Sequence, residues 1–116
     1  MKHILETYTS YNLWANTKLS DVLKSIEPSL IDKEVKSSFT SLRKTMHHLW
    51  GAEEIWYRRL SGESLAIFPE PVKKILEFTK QFSARSQSYI DLVNNKDEKY
   101  FLQTCSYKAI VGTPFT

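Results

Sequence analysis

An all-α fold, an up-and-down bundle of helices in a single domain spanning 1–116, is what this sequence predicts. Three observations carry the prediction. Apolar side chains recur at three- and four-residue steps in three segments of about twenty residues each. Proline, glycine and polar breaks separate those segments. After Tyr100 the texture changes to aromatic and β-branched residues, so the chain turns extended where a further helix of the bundle would begin.

The first helix is expected over 2–26, with Leu5, Tyr8, Asn12, Ala15, Leu19, Leu23 and Ile26 on its inner side. Pro28 stops it. The second is expected over 38–60, capped by Ser37, Ser38 or Thr40, with Leu42, Met46, Leu49, Glu53, Trp56 and Leu60 on one side and Gly62 at its end. The stretch "SGESLAIFPEP" reads as a loop whose Leu65, Ile67 and Phe68 tuck against the bundle. Pro71 is placed to open a third helix over 71–94, with Ile75, Phe78, Phe82, Ser86, Tyr89 and Val93 on one face and "NNKDE" as its stop. The tail over 100–116 is expected as one or two short strands or an extended arm.

Composition narrows the function. With 41% apolar and 25% charged residues, the chain is an ordinary globular one. No apolar run approaches the length of a membrane span, and the first ten residues lack the apolar stretch of a signal peptide. Cys105 is the single cysteine, so no internal disulfide can form, and the chain reads as cytoplasmic. The net charge of +3 is carried by scattered lysines and arginines, which does not make a nucleic-acid footprint.

Two of the three histidines are adjacent, in "TMHHLW". With Leu42 as zero on the second helix, His48 lies about 120° to one side of the apolar stripe and His47 about 140° to the other. His48 shares its edge with Ala52 and Ile55, where a small side chain leaves room for an approaching group. His47, beside Gly51 and Glu54, is expected in solvent. No H-x-x-x-H, H-E-x-x-H or E-x-x-H occurs, so spacing alone does not build a metal site. Glu53 and Glu54 are a candidate acid–base pair, although charges on helix faces are more often solvated or salt-bridged. Asn12 and Asn16 are odd polar residues on the buried side of the first helix, suited to orienting a neighbour by hydrogen bonding. Trp14, Trp50 and Trp56 read as core or interface.

The segments "YNLWAN" at 11–16 and "SSFTSLRKTMHHLWGAEEIWYRRLSGE" at 37–63 resemble the DinB family. The shared features are an asparagine-bearing first helix and a serine–phenylalanine approach to the second. A histidine followed eight residues later by tryptophan completes the pattern, and His48 with Trp56 has that spacing. The resemblance implies a four-helix bundle with a short β-like excursion before the last helix. It also implies a divalent metal, nickel or zinc, held by three histidines: His48, and two from an H-x-x-x-H on the last helix. The implied chemistry is thiol-dependent transfer, isomerisation or hydrolysis on a small-molecule or thiol substrate, in a homodimer. No H-x-x-x-H follows, since "GTPFT" ends the sequence. The chain is therefore expected to lack the fourth helix, to hold no metal by itself and to be inactive alone. His3 is a poor substitute ligand. The rival expectation is a non-enzymatic helical module that binds a partner helix, or a second copy, through the open groove.

Overall fold

The structure, a computed structural model, describes residues 1–63, 67–108 and 114–115. It is an all-α bundle. Three long helices dominate: α1 (Lys2–Ser25), α3 (Leu42–Leu60) and α4 (Ile75–Asn94). Two single turns, α2 (Pro28–Ile31) and α5 (Glu98–Phe101), follow α1 and α4. A two-stranded antiparallel ribbon pairs β1 (Tyr107–Lys108) with β2 (Pro114–Phe115) in the tail. Among the described residues no helix is long and apolar enough to cross a membrane.

The pairings fix the helix directions. Asn16 meets Ser86 and Lys2 reaches Asn94, so α1 and α4 are antiparallel. Trp50 meets Phe78, Glu53 meets Ser86 and Tyr57 meets Tyr89, so α3 and α4 run the same way. Simple alternation would need a short turn after α3. Here residues 61–74 intervene, about fourteen residues. At roughly 3.3 Å each they can span the roughly 28 Å of a 19-residue helix and return the chain to its start. α4 packs on both α1 and α3, and most closely on α1. α1 and α3 meet through Asn12, Asn16 and Glu53.

The core is a cluster of Leu23, Ile31, Met46, Trp50, Phe78 and Phe82, with Ile26, Val72 and Ile75 packed against it. The α4 face is the expected one: Phe78, Phe82, Ser86 and Val93 are buried, and Ile75 and Tyr89 half-buried. Helix bounds differ where local bonds intervene. Ser41, not Ser37, Ser38 or Thr40, caps α3; its extended backbone turns the side chain to accept from Lys44 N at 3.1 Å. α4 starts at Ile75 and not at Pro71. Arg43 donates from Nη1 to Lys73 O at 2.7 Å, which ties that segment down non-helically while Val72 packs on the core. Gly62, with φ of 103°, takes the left-handed turn after α3.

Three expectations about faces are corrected. On α3, Leu42, Leu49, Trp56 and Leu60 are exposed, whereas Met46, Trp50, Gly51, Glu54, Ile55 and Arg59 are buried. The apolar stripe misleads because Glu54 and Arg59 find partners that carry them inward. On α1, Tyr8 and Leu19 are exposed and the buried residues are Asn16, Ser20 and Leu23. In the loop, Ile67 is exposed and Phe68 is half-buried, with its ring seated where a side chain on Gly51 would stand. Leu65 lies outside the described residues.

Candidate functional site

His48 is exposed on α3. Its ring stacks on Phe39, with centroids 4.4 Å apart and an interplanar angle of 27°, and lies 6.0 Å from Phe68. The stack limits the orientations the imidazole can take while leaving it open to solvent. His47 is not the solvated residue expected. It is half-buried between Trp50 and Phe68, and its Nδ1 is enclosed with no hydrogen-bond partner among the described residues. Burial, then the neighbouring His48, lower its affinity for a proton; Glu70 opposes this. Gly51, one turn on, admits the Phe68 ring that covers His47. The two adjacent histidines therefore serve different surroundings. His3 sits in the first turn of α1, the end of the bundle that meets Asn94, far along the axis from His48. Among the described residues no three His, Cys, Asp or Glu side chains come together as a metal-binding group.

The chemistry-bearing residues that do converge lie further along α3. Glu53 Oε1 accepts from Asn12 Nδ2 and from Asn16 Nδ2, each at 2.8 Å. Its Oε2 accepts from Ser86 Oγ at 3.0 Å, and Ser86 Oγ in turn accepts from Asn16 Nδ2 at 2.9 Å. Tyr89 donates its hydroxyl to the Glu53 carbonyl at 2.6 Å. Burial, reinforced by the Glu53 charge, pushes the Tyr89 hydroxyl well above its ordinary range, so it remains a donor. One carboxylate thus joins α1, α3 and α4.

Glu54, the next residue, is buried and lies in a different circuit. It accepts from Arg85 Nε at 2.9 Å and Nη2 at 3.1 Å, and from Trp50 Nε1 at 3.2 Å. Arg85 also lies over the Tyr57 ring, 4.1 Å from its centroid. Such a two-point contact between a fork and a carboxylate fixes both partners. The pair Glu53–Glu54 is therefore split: one carboxylate is held by neutral donors, the other by a guanidinium.

Arg59 is buried between the rings of Trp56 and Tyr107, at 4.7 and 4.4 Å. Cys105 is half-buried and donates its thiol to the Arg59 carbonyl at 3.4 Å. That is a structural thiol contact. Trp50 is core, whereas Trp14 and Trp56 are exposed.

The sequence pattern points to Asn12, Asn16, Glu53, Ser86 and Tyr89 one at a time, as polar residues within apolar stripes. Arg85 and Arg59 give no such signal, because their spacing is that of a solvated face.

The family model described as the DinB family matches residues 1–108. The protein DinB of Bacillus subtilis (strain 168) is 26% identical over 97 residues, covering 76% of this chain and 56% of that protein. The chain thus spans little more than half the length of that relative. No solved structure matches. With nearly the whole sequence accounted for by one family pattern, the chain belongs to the DinB family.

Proposed function

We propose that this chain belongs to a divalent-metal-dependent enzyme of the DinB type, acting by thiol-dependent transfer, isomerisation or hydrolysis, with His48 as one metal ligand. The observation that carries the proposal is an exposed imidazole on α3, held by the Phe39 stack, eight residues before Trp56, in a chain matched to the family over residues 1–108. Zinc sites of the catalytic kind use three protein ligands. Among the described residues His48 has no such companions. These residues alone do not fit a complete nickel or zinc centre. A cytoplasmic, homodimeric protein is part of the same proposal.

The test is metal content per chain, measured on the protein as its gene encodes it and on its His48→Ala variant after equilibration with zinc or nickel. Loss of metal in a variant with an unchanged helical spectrum is the expected result; His48 is exposed, so the fold should tolerate the change. Unchanged metal content would remove His48 from the proposal.

The second reading, a non-enzymatic module, draws on the exposed α3 residues Leu42, Leu49, Trp56 and Leu60. It is favoured instead if the protein carries no metal and forms a dimer of fixed stoichiometry that Leu49→Glu disperses.

A further inference from the structure

Tyr8, Thr9, Tyr11, Asn12, Glu53 and Tyr89 line a shallow cleft, widely open to solvent, where α1, α3 and α4 meet. Glu53 is five residues beyond His48, about 140° round the helix, so this cleft is separate from the candidate metal ligand.

Charge and lone pairs set the Glu53 carboxylate apart. It accepts from two asparagine amides and a serine hydroxyl, all neutral. The nearby arginines Arg58 and Arg85 are engaged with Glu54. Among the described residues no ion pair involves Glu53, so its charge is held rigidly by three helices with no cation beside it. An ionised carboxylate offers about four acceptor positions over its two oxygens. Oε1 uses two and Oε2 uses one, which leaves one, on Oε2. A guanidinium fork needs one free position on each oxygen; an ammonium needs only one in all. Tyr8 and Tyr11 are exposed at the rim, and aromatic faces attract an organic cation.

We propose that this cleft binds a small primary alkylammonium, with Glu53 accepting one N–H and the Tyr8 and Tyr11 rings beside the cationic head. Asn12, Asn16 and Ser86 are positioning residues: they hold the carboxylate before the ligand arrives. The proposal is independent of metal binding by His48.

The test is a nuclear magnetic resonance titration of the whole chain with n-butylammonium chloride, beside n-butanol as the uncharged analogue and n-butylguanidinium as the forked one. The expected result is saturable shifts centred on the Asn12 and Asn16 side-chain amides, with n-butanol about tenfold weaker and n-butylguanidinium no tighter than the ammonium. Glu53→Gln should weaken the ammonium about tenfold, and Tyr11→Leu, at an exposed position, about threefold. Equal binding of alcohol and ammonium, tighter binding of the guanidinium, or shifts centred away from Asn12 and Asn16 would overturn the proposal. The ligand series needs no variant, so the wild-type titration decides the matter even where Glu53→Gln fails to fold.

Discussion

The two halves of this bundle are held by different physics. Towards the C-terminal end of α1, Leu23, Ile31, Met46, Trp50, Phe78 and Phe82 make a dry cluster, with Phe82 fully enclosed. Towards its N-terminal end the same three helices meet through Asn12, Asn16, Glu53, Glu54, Arg85, Ser86 and Tyr89. Trp50 stands at the boundary: its ring is in the cluster and its Nε1 donates to Glu54. The dry half gains with area removed from water and is indifferent to direction. The polar half gains little net energy per bond, but an unmatched donor or acceptor there is costly. Its contribution is alignment, because each bond has one geometry that satisfies it.

The largest predicted effect breaks the dry half. Phe82→Ala should destabilise the chain by about 3–5 kcal/mol, because it leaves an unfilled cavity among close-packed neighbours. Chemical denaturation measures it. No second truncation in the cluster should restore the loss; Phe82→Ala with Phe78→Ala should be worse than either alone.

The polar half should respond in the opposite sense to a second change. Glu54→Gln leaves the Arg85 charge without its partner and should cost about 2 kcal/mol. That is below the roughly 3–5 kcal/mol for a fully enclosed pair, because the Arg85 side chain keeps 22% of its surface exposed. Adding Arg85→Gln should then recover part of the loss. A double-mutant cycle by denaturation reads the recovery as a coupling between the two sites. A double variant as unstable as the sum of the singles would show that the pair contributes packing and no electrostatic matching.

The same contrast explains what can be read from the sequence. Area-driven packing leaves a periodic trace, so the three helices and the inner face of α4 are legible. Matching-driven packing leaves none. On α3 the apolar stripe of Leu42, Leu49, Trp56 and Leu60 is at the surface, while Glu54 and Arg59 are inside. No window of sequence tells that Glu54 will meet Arg85, thirty-one residues away. His47 departs from expectation for a related reason: the ring that covers it comes from Phe68, in a loop whose path depends on Gly51 being bare. Asn12 and Asn16 are noticeable as misfits, but their common acceptor lies on another helix.

The smallest effect concerns the outer limit of the polar half, where the chain after α4 returns to the start of α1. Glu98 Oε1 accepts from the Lys2 backbone N–H at 2.6 Å and lies 3.2 Å from the terminal amine of Met1. The carboxylate sits where the free amides of a helix N-terminus favour negative charge. The Lys2 hydrogen bond first, and the terminal amine second, hold the Glu98 carboxyl below the usual carboxylate range. The folded chain therefore binds this proton less readily than the unfolded chain does. Above the unfolded value the contribution to stability is complete, and it is lost as the pH falls through the lower, folded value. Glu98→Gln should accordingly flatten part of the acid limb of a stability–pH curve and leave neutral-pH behaviour nearly unchanged, since the group is fully exposed and screened by solvent. A carbon-detected titration of the Glu98 side chain gives the direct check. A midpoint at or above the ordinary glutamate range would mean that the contact does not persist in solution, and that α1 frays at the end where the polar half stops.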